Sequence, residues 1–96
     1  MVKALDEIDR LIHEPARLLI IATLSVVEEA DFTFLMNHTS LTWGNLSSHI
    51  SKLEAVDYVK IKKIFVNKKP QSIASLTDLG RSAFNDYRQS MKDLLG

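Results

Sequence analysis

The segment that most constrains the fold is residues 41–63, LTWGNLSSHISKLEAVDYVKIKK, which joins two different patterns. In its first half, apolar side chains recur every three or four residues, which is typical of one face of a helix. The second half partly alternates and is rich in β-branched residues and lysine, which indicates a strand. The chain must therefore place an amphipathic helix directly before a basic strand.

The predicted helix in this segment has two unlike faces. Its apolar residues Trp43, Leu46, Ile50 and Leu53 lie within about one quarter of the circumference and should face the core. Trp43 could stack on a ligand or lie near DNA, but on this arc we expect it to be partly buried. The other side carries small and polar residues, namely Gly44, Asn45, Ser47, Ser48, His49, Ser51 and Lys52. A face selected only for stability would carry glutamate, lysine and alanine instead.

The rest of the chain predicts three helices before this one, and a hairpin and a helix after it. The first is short and contains Leu5, Ile8, Leu11 and Ile12. The second begins near Pro15, and its LLIIA run is apolar on all sides, so it should be central and buried. The third is FTFLMNH, capped by Asp31 or Thr33.

Thr42 is the expected N-cap of the helix in residues 41–63. The strand YVKIKKIFV, the turn NKKP and the strand QSIASL then form a hairpin. Thr77 caps the last helix, with Asp78 in its first turn. The apolar stripe of this helix is Leu79, Ala83, Phe84, Tyr87, Met91, Leu94 and Leu95.

Composition limits the class of protein. The 96 residues, 46% of them apolar, suit one globular domain over residues 1–96. The chain has no cysteine, which fits a reducing cytoplasm. The amino terminus is too acidic for a signal peptide and no apolar run is long enough to cross a membrane, so we expect a cytoplasmic protein with no membrane partner.

Charge is unevenly distributed although the net charge is zero. Residues 1–39 hold three basic and seven acidic side chains, whereas residues 40–70 hold six basic and two acidic ones. A concentrated positive field can steer an anionic partner even to a neutral protein. Residues 40–70, which contain the two-faced helix and the hairpin, are therefore the segment that we expect to attract an anionic partner.

This order of elements predicts a mainly α (α+β) fold, a winged helix-turn-helix with a two-stranded basic wing. Small side chains let a helix backbone approach base edges in the major groove, while lysines of a hairpin contact the phosphate backbone or the minor groove. The expected DNA contacts on the helix are Thr42, Gly44, Asn45, Ser47, Ser48, His49, Ser51 and Lys52. The expected DNA contacts of the hairpin are Lys62, Lys63, Lys68 and Lys69. Arg81, directly after the wing, is a further expected contact, and Arg17 is a weaker candidate.

The chain resembles the small, single-domain winged-helix transcriptional regulators of the MarR/ArsR-like superfamily. The resemblance covers nearly the whole chain and rests on EPARLLIIATL, LTWGNLSSHISKLEAVDYV and NKKPQSIASLTDLGRSAF. It implies a recognition helix over about residues 42–55, with contacts from 42–52, and a wing over residues 62–70. Similar sequences usually carry glycine in the turn before the recognition helix and at its end, where this chain has Ser40 and Asp57. If both positions need a left-handed backbone, each substitution costs roughly 1 kcal/mol or less.

The resemblance also implies a homodimer that binds a palindromic promoter site, most simply as a repressor. We expect the terminal helices to form the dimer surface, since their apolar stripes exceed what one small domain buries; the alternative is that Phe84 and Tyr87 close the monomer core. A small-molecule effector is possible and would bind at the dimer interface. The rival function is a winged-helix protein-interaction module whose hairpin docks an acidic partner.

Other chemistry is weakly represented. The three histidines, His13, His38 and His49, fall in different elements and show no HxxxH or HExxH spacing, so we expect no metal. The sequence lacks a phosphate-binding glycine loop, a GxSxG motif and a cysteine nucleophile. We therefore expect neither an enzyme nor a cofactor.

Overall fold

The computed structural model describes residues 8–96, and within them the predicted order of helices and strands is confirmed from the second helix onward. The elements are α1 (Pro15–Val26), β1 (Ala30–Asp31), α2 (Phe32–Thr39), α3 (Trp43–Ala55), β2 (Val59–Val66), β3 (Lys69–Leu76) and α4 (Asp78–Leu95).

The predicted opening helix lies partly on residues 1–7, which are outside the described residues. Residues 8–14 form turns rather than a helix. The carboxylate of Asp9 accepts hydrogen bonds from the backbone N–H groups of Leu11 and Ile12. Its other oxygen accepts a hydrogen bond from the Tyr58 hydroxyl at 2.7 Å. Burial and this hydrogen bond raise the pKa of Tyr58 to about 12.

Each helix begins at a side chain that accepts a hydrogen bond from its first turn. Asp31 accepts from the N–H of Phe34 at the start of α2, Thr42 from Asn45 at the start of α3, and Thr77 from Gly80 at the start of α4. These caps satisfy donors that have no partner inside the helix. At α1, Glu14 takes this role ahead of Pro15. Three of the four caps follow directly from the sequence prediction.

The core lies between α1, α3, the sheet and the first half of α4. The apolar run of α1 places Ile20, Ile21 and Leu24 fully inside. The other fully buried large residues include Leu35 of α2, Leu46 and Leu53 of α3, and Val59 of β2. Phe84 and Tyr87 close the core from α4, in agreement with the alternative interpretation of its stripe.

The sheet has three antiparallel strands in the order β1-β3-β2. The β2–β3 pair is the predicted hairpin, and β1 adds a short strand that the sequence did not predict. β1 is only two residues long, so it carries no periodic pattern of its own. The hairpin turn is also shorter than the predicted NKKP. Only Asn67 and Lys68 form it, with φ of 52° and 65°, while Lys69 and Pro70 already belong to β3.

Within residues 8–96, the non-glycine residues outside the hairpin that adopt the left-handed conformation are Ser40 and Asp57, with φ of 61° and 62°. The resemblance implies glycine at these two positions, and the left-handed backbone that glycine favours is present at both. Ser40 ends α2, and its N–H bonds to the Met36 carbonyl. Asp57 reverses the chain between α3 and β2.

A close backbone contact joins α4 to the start of the hairpin. The N–H of Thr77 donates to the Tyr58 carbonyl oxygen at 3.0 Å, and the Thr77 hydroxyl donates to the Asp57 carbonyl. Gly80 lies against the same Tyr58 carbonyl, so a Cβ at position 80 would overlap its oxygen. The absence of a side chain at Gly80 therefore sets how closely α4 approaches the base of the hairpin.

We expect Gly80→Ala to lower the free energy of unfolding by about 3 kcal/mol, the upper end of overpacking costs, because the added methyl meets backbone rather than a movable side chain. Urea unfolding followed by circular dichroism measures it. The control is Ser82→Ala on the exposed side of the same helix, which should leave stability unchanged or slightly raised. Equal stability of the two variants would contradict the close contact.

Candidate nucleic-acid interface

The two faces predicted for α3 are present. Leu46, Ile50 and Leu53 are buried, with at most 2% of their surface exposed. The exposed residues of the other side are Thr42, Gly44, Asn45, Ser48, Ser51 and Lys52, while Ser47 is half-buried. The exposed face thus carries hydroxyl, amide and ammonium groups with no bulky side chain between them. Such groups can donate to or accept from base edges and phosphates.

Trp43 does not join the buried face, and the expectation of partial burial is wrong. The residue is 60% exposed. α3 begins at this residue, so no earlier turn of the helix covers the ring. Its neighbours across the surface are Phe32 at the start of α2 and Lys63 of β2, which form the sides of an open groove.

His49 lies on the inner flank of α3, against α1, rather than on the exposed face. Its Nδ1 accepts a hydrogen bond from Nη1 of Arg17 at 3.1 Å and lies 3.8 Å from Oε1 of Glu14. Arg17 also donates from Nε to the Leu11 carbonyl oxygen at 2.6 Å. The backbone N–H of Arg17, which donates to the Glu14 carboxylate, and the nearby Arg17 guanidinium lower the pKa of Glu14 below its usual value. His49 and Arg17 therefore connect α3 to α1.

The hairpin lysines divide between the two faces of the sheet. Lys63 pairs with Ser72 and borders the same groove as Trp43, so it faces α3. Lys62, the preceding residue of β2, points to the other face, where its Nζ lies 3.1 Å from Oε2 of Glu29. Lys68 in the turn and Lys69 at the start of β3 are exposed at the tip. Strand alternation thus separates two neighbouring lysines for which the sequence predicts the same role.

Arg81 lies apart from the wing tip. It belongs to the first turn of α4, beyond Thr77, at the base of the hairpin. Its Nη1 donates to the carbonyl oxygen of Ser25 near the end of α1, at 3.3 Å. The fold therefore brings the exposed face of α3 together with Lys63, and it places His49, Lys62 and Arg81 elsewhere.

Sequence reasoning missed the groove between α3 and the hairpin, which has a volume of about 460 Å³. Its walls come from three elements: α2, α3 and the β2–β3 hairpin. No sequence signal could have found it, because its wall residues Phe32, Trp43 and Ser72 are far apart in the chain and the groove exists only once the hairpin packs beside the helix.

A second cavity of about 600 Å³ lies beside α4, lined by Leu18, Phe84, Tyr87, Met91 and Leu95 among others. Within residues 8–96 no group of three metal-binding side chains comes together. Over the same residues, none of the helices combines the length and the apolar character that crossing a bilayer requires.

Comparison with known proteins identifies the family to which this chain belongs. A model described as a winged helix DNA-binding domain matches residues 16–95, which is most of the chain. The chain belongs to this family of winged-helix DNA-binding domains. The predicted winged-helix fold is confirmed, and solved regulators of the MarR and ArsR families share it at 24% and 16% identity.

Three proteins illustrate how similar known sequences and structures are to this chain. An uncharacterized protein of Methanocaldococcus jannaschii is 33% identical over 78 residues, which are 81% of this chain and 85% of that protein. A transcriptional regulator homologue from Pyrococcus horikoshii OT3 is 30% identical, with a TM-score of 0.85, over 91% of this chain and 86% of its own. A MarR family transcriptional regulator from Streptomyces coelicolor, solved in complex with DNA, is 24% identical with a TM-score of 0.68, over 94% of this chain and 60% of its own.

Proposed function

We propose that this winged-helix domain is a sequence-specific regulator of transcription that reads duplex DNA with the exposed face of α3 in the major groove. The observation that carries this proposal is that face itself. Gly44, Asn45, Ser48, Ser51 and Lys52 are exposed along one side of a helix whose other side is anchored in the core. Small polar side chains on a firmly anchored helix permit close approach and a fixed pattern of hydrogen bonds to base edges.

The wing supplies charge beside this helix. Lys68 and Lys69 stand exposed at the tip and Lys63 faces α3, so all three can reach phosphates when α3 lies in the groove. Lys62 is directed to the other face and paired with Glu29. We assign phosphate contacts to the first three lysines and treat Lys62 as part of an intramolecular ion pair. The Streptomyces regulator, which shares this fold, is solved in complex with DNA, and this supports duplex DNA as the partner.

We further propose a homodimer that binds a palindromic operator and represses by blocking a promoter. The apolar stripe of α4 is buried only in part. Phe84 and Tyr87 are inside, whereas Leu79, Leu94 and Leu95 are 52%, 36% and 75% exposed. The cavity beside α4 is continuous with this stripe at Leu95. A second α4 packed here would cover the exposed leucines and place two recognition helices for half-sites about 34 Å apart.

Selection of binding sites from a random duplex library at physiological salt tests this function. We expect enrichment of a palindrome whose half-sites are about one helical turn apart. Sedimentation of the same protein should give the mass of two chains, free and on the selected site. Folded protein that enriches no sequence would refute operator reading and favour a protein-interaction module.

The two neighbouring lysines of β2 provide a matched pair. Lys63→Ala should weaken binding to every duplex and reduce the slope of log affinity against log salt by about 0.9, because it removes one phosphate contact. Lys62→Ala should leave this slope unchanged, because Lys62 lies on the opposite face and pairs with Glu29. Fluorescence anisotropy of a labelled duplex at several salt concentrations measures both. If both substitutions change the salt slope equally, the assignment of the phosphate contact to Lys63 rather than Lys62 is wrong.

Substitution of Gly44 should have opposite effects on the stability of the protein and on its affinity for DNA. No atom lies within 4 Å of a Cβ built at Gly44, so the free protein has room for the side chain. Gly44→Ala should therefore raise the free energy of unfolding by up to about 1 kcal/mol through helix propensity. It should weaken operator binding about tenfold, because the methyl occupies the space between the helix backbone and DNA. Ser82→Ala, exposed on α4, is the control for unchanged binding, and unchanged binding by Gly44→Ala would place the closest approach elsewhere.

A further inference from the structure

The groove between α3 and the hairpin has an aromatic residue and a cation at its centre. Two adjoining lobes, of about 460 and 330 Å³, share the walls Phe32, Trp43, Lys63 and Ser72. Trp43 leaves 60% of its surface exposed in this groove, next to the charged Lys63. The proposed function leaves this ring unused, because Trp43 lies beside the row of residues that faces base edges.

DNA geometry determines what must pass through this groove. The major and minor grooves of a duplex are separated by one sugar–phosphate strand at each boundary. If α3 lies in the major groove and the wing reaches the backbone and minor groove next to it, the intervening strand has to cross between α3 and the hairpin. The space between them is the groove that Trp43 and Lys63 share.

The chemistry of the walls suits a sugar–phosphate strand. The Lys63 ammonium supplies positive charge for a phosphate, and the hydroxyls of Ser47, Ser51 and Ser72 are further donors. The indole offers an apolar surface to a deoxyribose and an N–H donor. The lining also includes two carboxylates: Asp31, which accepts a hydrogen bond from the Phe34 N–H as the N-cap of α2, and Glu54 in the last turn of α3.

We propose that this groove holds one sugar–phosphate strand of the bound duplex, with Trp43 packed against a deoxyribose and Lys63 next to the adjoining phosphate. The inference rests on the proposed DNA-binding function and adds to it a residue that contributes affinity without reading sequence. Trp43 is thereby assigned to the DNA contacts, in place of the core position expected from its spacing.

The native protein can test this directly, because Trp43 is its single tryptophan. Quenching of its fluorescence by acrylamide, a neutral quencher, reports access to the indole. With a saturating unlabelled duplex we expect the quenching constant to fall severalfold. Binding is measured separately, by anisotropy of a labelled duplex, so the two readouts are independent.

A variant pair completes the test. Trp43→Ala should weaken binding about tenfold on operator and random duplexes alike, because the apolar contact is with the backbone. Val26→Ala removes a side chain that is 82% exposed at the end of α1 and should bind normally. Circular dichroism confirms that both variants are folded, and the quenching experiment needs neither of them.

The outcomes separate this inference from the function on which it rests. If the protein binds labelled DNA but the acrylamide quenching constant of Trp43 does not change when duplex is added, the Trp43 contact is overturned and DNA binding stands. A weakening by Trp43→Ala that is confined to one sequence would also overturn it, since that pattern marks a base contact. Failure to bind any labelled duplex would refute the proposed function and this inference with it.

Discussion

The burial of Leu46, Ile50 and Leu53 is the interaction on which the rest of the molecule depends. These three side chains fix the rotation of α3 about its own axis, because a turn of the helix in either direction would expose apolar surface at a cost of about 25 cal/mol for each Å². Once the rotation is fixed, the exposed side can only be that of Gly44, Asn45, Ser48 and Ser51. The Arg17–His49 hydrogen bond adds a polar contact between α1 and the same helix. The face proposed to read DNA is thus determined by packing on the side that never meets DNA.

The base of the hairpin is positioned by packing on the core and by backbone contacts to α4. Val59 and Ala74 are buried there, and the Tyr58 carbonyl accepts from Thr77 and lies against Gly80. Toward the tip the side chains become exposed, with Phe65 75% accessible. The register of the two strands then decides which lysines share a side with α3. A slip of one residue would exchange Lys62 and Lys63 between the faces, so correct pairing at the base controls charge placement further along the strand.

Much of this fold is predictable from local rules. The N-caps at Thr42 and Thr77, and the cap of α2 at one of the two predicted candidates, Asp31, depend on chemistry within four residues, and the sequence predicts them. The left-handed backbone at Ser40 and Asp57 is suggested instead by the family resemblance. The features that the sequence does not predict depend on contacts between distant segments. β1 exists because Ala30 and Asp31 meet β3, and His49 turns inward because Arg17 and Glu14 stand opposite it. Trp43 has the helical spacing of a core residue, but spacing alone does not show that α3 begins at Trp43 and that no preceding turn of the helix covers the ring. The other predicted DNA contacts of α3 lie on one exposed side apart from the half-buried Ser47, and their role in binding stays a prediction.

Zero net charge has a consequence for specificity. A strongly basic domain binds any duplex through phosphate contacts alone, whereas this chain balances its twelve basic residues with twelve acidic ones. Part of the local excess in residues 40–70 is cancelled as well, because Glu29 pairs with Lys62. Fewer lysines are then free to contribute sequence-independent affinity. We therefore expect tight binding to an operator to draw more heavily on the proposed hydrogen bonds of Asn45, Ser48 and Lys52, which form only when the duplex is correctly seated. A neutral winged helix with a small polar recognition face is therefore suited to discriminate between sequences rather than to coat DNA.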